Sequence, residues 1–447
     1  MGYVELHAHS AYSFLDGAPQ PEELVAAALA RGHEALALTD HDSLSGSMEF
    51  AQAAKSLGLR AIHGAEVTLD DGRHLTLLVR DATGWRSLCR LLTRAHAHTR
   101  DGAQRDRSDP AVSLDDVEEH HAGLVCLSGC ARNGVRDEPT MRRLLSVFGL
   151  DAFRVELQRP LARHDRALNR GLAGLAVRLG VPAVATGNVH AHSRDRAYLQ
   201  DAFVAIREHT TLDASEPLRR GNHAHVLTSP QAMAARFADH PEAVAESGRL
   251  AATLSFDLTS DLGYRYPGAE DLTASRALAE VCQARFDERY GVGGSVSRSH
   301  HEEAKARLEE ELCVIDSLGL AGFFLLHRDL LDLAREVAVE VRGTGNARSL
   351  LPPGRGRGSS VSSIVCHLTG LSHVDPIANK LLLGRFLNEE LTALPDIDLD
   401  FPRDVREKLI PRVHERYGTE RSALVAAFPT YRAKGAIREL GKALGLP

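Results

Sequence analysis

A chain of 447 residues is longer than one hydrophobic core usually serves, so roughly two or three domains are expected. Its 43% hydrophobic and 25% charged residues are ordinary globular values and exclude disorder as the default. The formal charge of −7 argues against a nucleic-acid partner only until it is divided along the chain. Residues 341–447 carry 16 Lys or Arg against 11 Asp or Glu, a net of +5, which leaves −12 for residues 1–340. A basic C-terminal part is compatible with phosphate-bearing partners, although so small an excess also arises by chance. There is no uncharged apolar run of about 18 residues and no basic-then-apolar leader. The six cysteines lack the two close pairs of a zinc ribbon. The expectation is a soluble, cytoplasmic protein with no membrane partner and no disulfide framework.

In chain order, short β-type runs alternate with helical periodicity: residues 3–7, then 21–31; 35–39, then 44–57. The pattern continues through 61–66, 74–80, 84–97, 124–128, 153–157, 164–179 and 182–186. Repeated βα units predict a parallel sheet, either a barrel or an open sheet; periodicity does not decide closure. After His190 the reading is mainly helical, at 193–207, 230–238 and 241–253. A boundary falls at 262–271, and helices resume at 274–290, 301–318 and 324–339. Residues 342–360, rich in Gly, Arg and Pro, read as a flexible loop. Short strands and helices follow around 395–402, and no internal repeat is evident.

On a strand, residues i and i+2 point to one face, so His7 and His9 can present imidazole nitrogens to one cation. Asp16 follows in a Leu-Asp-Gly turn, and the run 35–39 leads into Asp40-His41-Asp42. The next run ends in His63-Gly64-Ala65-Glu66, another opens at His74, 124–128 leads into Gly129-Cys130, and 182–186 leads into Gly187-Asn188-Val189-His190. A lone histidine at a strand end is more often structural. Recurrence of His, Asp, Glu and Cys at strand ends is informative, because βα architecture gathers its site on one rim. Mixed imidazole and carboxylate ligands suit Zn, Mn or Fe. A bridging carboxylate such as Glu66 would let two cations sit roughly 3.5–4 Å apart, which activates water and clamps a phosphoester displacement. Phosphoester hydrolysis is the expected chemistry.

His7-Ala8-His9, Thr39-Asp40-His41, Gly64-Ala65-Glu66 and Val189-His190 resemble successive motifs of the PHP (polymerase and histidinol phosphatase) domain over roughly residues 1–260. The resemblance implies a distorted (β/α) barrel holding up to three metals, Zn²⁺ or Mn²⁺, with His7, His9, Asp16, His41, Glu66, His74, Cys130 and His190 at ligand positions. The chain departs from the family's Asp-x-His at Asn188-Val189-His190. An amide oxygen is neutral and a weaker ligand, so one metal position is expected to be loose or absent.

Pro395-Asp396-Ile397-Asp398-Leu399-Asp400-Phe401 places carboxylates at alternate positions in an apolar context. On a strand they share one side, either as a solvated acidic edge or as a seat for two Mg²⁺ ions. Upstream, Gly354-Arg355-Gly356-Arg357-Gly358-Ser359-Ser360 precedes a helix-like run at 361–368, where backbone amides can cradle phosphates. With Val374-Asp375-Pro376 and Gly384-Arg385-Phe386-Leu387-Asn388, these landmarks make residues 322–447 resemble the palm of bacterial C-family DNA polymerases, the polymerase III alpha type. Those enzymes carry an N-terminal PHP domain, and the Gly187-Asn188-Val189-His190 variant is closer to their error-prone, damage-tolerant subgroup.

The resemblance implies an α/β chain: a distorted (β/α) PHP barrel with a helical extension at 1–262, an incomplete nucleotidyltransferase-like α+β palm at 263–427, and the start of a thumb at 428–447. It implies catalytic Asp396 and Asp398, with Asp400 supporting the strand, Mg²⁺ at the palm, and nucleotide contacts from Gly358, Ser359 and Arg385. Primer-template DNA and dNTPs are the implied partners, with a sliding clamp and other mutasome proteins bound through C-terminal regions this chain lacks. The family's third catalytic Asp lies on a later strand, past Pro447, so the chain is not expected to polymerise DNA unaided. The alternatives are a stand-alone PHP phosphoesterase or 3′ exonuclease and a non-catalytic PHP scaffold.

Overall fold

Six strands, β1 (Ala35–Leu38), β2 (Arg60–Thr68), β3 (His74–Val79), β4 (Leu124–Leu127), β5 (Phe153–Gln158) and β6 (Ala183–Thr186), pair in that order in one curled sheet. The computed structural model describes residues 2–100, 109–260, 266, 268–291, 297–345, 354–387, 395–425, 428 and 430–446. Two compact units result: Met1–Leu262 with Pro429–Pro447, and Gly263–Phe428. Every residue of β1 and β4 is buried, as strands covered on both faces must be.

The extended segment 3–9 closes the sheet. Glu5 bridges Leu36 of β1 and Ala8 bridges Val189 just after β6, both in the parallel sense. Ala37 N–H donates to the Glu5 carbonyl at 2.9 Å, and His9 N–H donates to the Val189 carbonyl at 2.8 Å. These bridges tie the segment to both ends of the sheet, and its extended backbone turns the alternate side chains, His7 and His9 among them, to one side.

The sheet is mixed, which corrects the parallel sheet expected from the sequence. The β1/β2, β4/β5 and β5/β6 pairs are parallel, but β3 runs antiparallel to both neighbours. The turn between β2 and β3, closed by Leu69 N–H donating to the Arg73 carbonyl at 2.7 Å, is far too short for a crossover helix. β2 is also longer than the run 61–66, so His63 and Glu66 lie within the strand rather than at its end. Having opposite parity, they face opposite sides.

His63 is 1% exposed and stands edge-on to Phe50, Trp85 and Phe256, with centroids 6.0, 5.9 and 6.1 Å away. Neither ring nitrogen has a hydrogen-bond partner among the described residues, and burial pushes its pKa down to about 4. The unfolded chain binds this proton more readily, so the stabilisation is complete above pH ~6.5 and is lost as the pH falls towards 4. The loss is expected to reach about 3 kcal/mol between pH 7.5 and pH 4. Urea unfolding at both pH values checks it: the pH-dependent fall in unfolding free energy should be smaller for His63→Phe than for the parent by that amount.

The second unit is mainly helical: Ala274–Tyr290, Arg298–Ser317, Ala321–Arg342, Ile364–Thr369 and Arg403–Tyr417. Its core includes Leu278, Phe286, Ile315, Phe324, Ile364 and Leu371. The region expected as loop contains β7 (Arg355–Arg357), which pairs antiparallel with β8 (Asp398–Asp400). Arg-Gly-Arg has no apolar side to mark it as a strand, so this pairing is set by tertiary context. Residues 346–353 of that region lie outside the described residues. The helix Ala433–Ala443 packs on Arg194–Arg207 of the first unit, and the Ala443 carbonyl accepts from Leu212 N–H at 2.8 Å. No helix among the described residues is long and apolar enough to cross a membrane.

Candidate functional site

One end of the closed sheet collects the histidines and acids. His7 and His9 come from the closing segment, His41 follows β1, Glu66 lies on β2, His74 opens β3, and His190 follows β6. Asp16 reaches the cluster because its turn folds tightly back: a Cβ on Gly17 would overlap the Ser10 carbonyl, so the turn needs glycine. Glu66 is the hub. Its Oε2 lies 3.4 Å from His7 Nε2, 3.4 Å from His9 Nε2 and 3.2 Å from His41 Nδ1, while Oε1 lies 3.1 Å from His74 Nδ1. Asp16 Oδ2 lies 3.1 Å from His41 Nε2 and 3.0 Å from His190 Nε2. Cys130 Sγ stands 3.9 Å from His74 Nδ1. The structure thus brings together all eight residues expected as ligands.

Three sets have the spacing of metal ligands: His9, His41 and His190; His7, His9 and Glu66; His41, Glu66 and His74. His7 Nε2, His9 Nε2 and Glu66 Oε2 are buried and without a hydrogen-bond partner among the described residues. Burial of such atoms costs free energy unless something satisfies them, and a divalent cation would satisfy all three. The donors present therefore fit a metal ion.

The electrostatics agree. Burial disfavours charge on His7, yet the carboxylates of Glu156 and Glu66 outweigh it and hold its pKa up at about 10. Burial opposes charge on Glu66 and Asp16 too, but His41 and His7 pull Glu66 well below the carboxylate range, and His190 and Arg220 do the same for Asp16. His9 is driven well down by burial and by neighbouring His190 and His41, and burial with Arg220 lowers His190 to about 4. His9 and His190 are thus neutral beside two anionic carboxylates, as ligands must be, whereas His7 has to give up its Nε2 proton when it ligates. Burial, reinforced by Glu66, pushes the Cys130 thiol up.

Some neighbours of the expected ligands have other tasks. Asp40 accepts from Ser10 N–H and from the Ser10 and Ser13 hydroxyls, each at 2.7 Å, and Asp42 accepts from Thr68. Asn188 adopts φ 50°, a left-handed backbone that Asn tolerates better than most side chains. Its side-chain amide donates to Gln158 Oε1 at 3.3 Å, and its carbonyl accepts from His190 Nδ1 at 3.0 Å.

Sequence reasoning missed Glu156 and Arg220. Glu156 Oε1 accepts from His7 Nδ1 at 2.7 Å and from Gln158 Nε2 at 2.8 Å, fixing the His7 tautomer so that Nε2 faces Glu66. A carboxylate within the strand-like run 153–157, which also holds Arg154, was its available signal. Glu156→Gln is expected to weaken metal affinity about 10–100-fold, measured by competition with a chelator. Arg220 lies in no regular element and left no signal.

In the second unit, the β7/β8 register sets Arg357 opposite Asp398 and Gly356 opposite Leu399. Asp396, Asp398 and Asp400 are exposed, whereas Ile397 is buried and Leu399 and Phe401 pack partly into the core. A Cβ on Gly356 would collide with the Leu371 carbonyl, so the loop needs glycine there to approach. Gly358 and Ser359 follow directly, and a Cβ on Gly358 would lie 3.9 Å from Asp398 Oδ2. Arg357 Nε lies 3.7 Å from Asp398 and 3.4 Å from Asp400, both exposed pairs.

The loop is anchored from within. Buried Glu311, unremarked in the sequence, accepts from Ser363 Oγ at 2.7 Å, Ile364 N–H at 2.9 Å and Arg307 Nε at 3.0 Å. The Arg385 side chain lies outside the described residues.

Residues 5–160 match the PHP domain and residues 276–447 the bacterial DNA polymerase III alpha NTPase domain. The error-prone DNA polymerase of Symbiobacterium thermophilum is 34% identical over 467 residues, covering 100% of this chain and 41% of that protein. That of Mycolicibacterium paratuberculosis is 36% identical over 471 residues, 99% of this chain and 40% of the relative. That of Pseudomonas syringae pv. tomato is 34% identical over 461 residues, 100% and 41%. The PHP match precedes the polymerase III alpha NTPase match along the chain. Over its whole length the chain is similar to error-prone DNA polymerases. It spans about two-fifths of the length of the curated relatives it matches.

Proposed function

We propose that the chain is the PHP and partial-palm portion of an error-prone DNA polymerase that extends a primer 3′ end with dNTPs across damaged template. The domain assignment follows: barrel and helical extension at 1–262, partial palm at 263–427, thumb start at 428–447. The observation that carries this reading is the β7/β8 register, with Arg357 opposite Asp398 and Gly358 next to that carboxylate, on the exposed side that Asp396 and Asp398 share. Mg²⁺ at those carboxylates would clamp the attacking and leaving oxygens of the displacement. Gly358 and Ser359 offer backbone N–H groups and a hydroxyl to the triphosphate, Arg357 and Arg385 add positive charge, and Asp400 braces the strand. Primer-template DNA, a sliding clamp and mutasome proteins are the partners this reading gives the cytoplasmic whole.

In the barrel, His7, His9, Asp16, His41, Glu66, His74, Cys130 and His190 are the residues available to hold Zn²⁺ or Mn²⁺. The unpartnered His7, His9 and Glu66 atoms also favour a second reading, phosphoester or 3′-end hydrolysis at the barrel.

Primer extension by the polypeptide that carries this chain tests the main reading. Template-directed incorporation that stops on chelation of Mg²⁺ is expected; no incorporation in any divalent metal would contradict it.

A further inference from the structure

The two halves of the barrel cluster differ in what already satisfies them. Around Glu66, the ligand atoms His7 Nε2, His9 Nε2 and Glu66 Oε2 face one another without a hydrogen-bond partner among the described residues. Around Asp16, a cation is present. Arg220 Nη2 lies 2.9 Å from Asp16 Oδ2 and 2.5 Å from His190 Nε2. His190 donates its Nδ1 proton to the Asn188 carbonyl at 3.0 Å, which leaves Nε2 as a lone-pair acceptor for the guanidinium. The other Asp16 oxygen is engaged by Gln200 Nε2 at 3.4 Å, with Arg207 Nη1 at 3.9 Å. The Arg220 side chain is only 14% exposed, so its charge is spent inside the cluster rather than in solvent.

We propose that Arg220 is a tethered cation filling the Asp16–His190 position, so that the barrel takes metal at His7–His9–Glu66 but not beside Asp16 and His190 while the guanidinium stays. A guanidinium cannot be deprotonated at accessible pH, and it meets the same carboxylate oxygen and imidazole lone pair that a metal would need. An incoming divalent ion must therefore expel a charged, hydrogen-bonded group before it gains either ligand. The inference rests on the cluster being a metal site, and its test separates the two.

Metal per chain is measured by atomic emission after equilibration with Mn²⁺ or Zn²⁺ and removal of free ion, for the parent chain, Arg220→Met and Arg220→Lys. Melting curves establish that each is folded; if Arg220→Met is not, Arg220→Gln replaces it with the same expectation. Arg220→Met should hold about one equivalent more than the parent, and Arg220→Lys, which keeps the charge, should match the parent. Equal metal in the parent and Arg220→Met would overturn the inference while leaving the metal site standing. Less metal in Arg220→Met would also overturn it, since Arg220 would then support binding rather than compete with it. No metal in any of the proteins would remove the site reading and this inference together.

Discussion

Asp398→Ala in the polymerase polypeptide is expected to lower nucleotide incorporation at least about 1000-fold while leaving the melting temperature nearly unchanged. The side chain is about half exposed and its ion pair with Arg357 is long, so truncation removes little packing and only a weak surface interaction. A carboxylate that holds a cation at a transferring phosphoryl group supplies several kcal/mol of transition-state stabilisation, which sets the scale of the loss. Large inactivation with small destabilisation separates a metal-holding role from a solvated acidic edge. Single-turnover incorporation and thermal melting, run side by side, check it.

Glu66→Ala should lower metal affinity of the barrel at least about 100-fold, read as metal retained after dialysis and by calorimetric titration. Its Oε2 is the atom shared by His7, His9 and His41, so no other carboxylate of the cluster can take its place: Asp16 is committed to His41, His190 and Arg220, and Asp40 to Ser10 and Ser13. The substitution also leaves His7 with one of the two carboxylates that hold its pKa up. The metal-free variant should accordingly unfold more easily than the metal-free parent at pH 7.

Strand alternation placed His7 and His9 on one face, and the family resemblance picked Asp16, His41, His74, Cys130 and His190 from among the His, Asp and Cys near strand ends and turns; all of these meet in the structure. Strand direction was not legible, because a period of two is the same in parallel and antiparallel pairs; only the short turn before His74 hinted that β3 reverses. Glu66 was found although its strand was cut short, since its parity and not its end position turns it to the cluster. β7 could not be read from Arg-Gly-Arg, whose strand exists through pairing with β8. Arg220 reaches Asp16 from 204 residues away along the chain, a contact that local pattern does not carry.

The most direct test of the palm assignment is the incorporation rate of Asp398→Asn set against Asp400→Asn, each at saturating Mg²⁺ and dNTP. The two carboxylates share the exposed face of one short strand and both lie near Arg357, so general acidity of the strand would affect them alike. Near-complete loss is expected for Asp398→Asn, with most of the rate retained for Asp400→Asn. Equal rates in the two variants, or parent-like incorporation by Asp398→Asn, would contradict it.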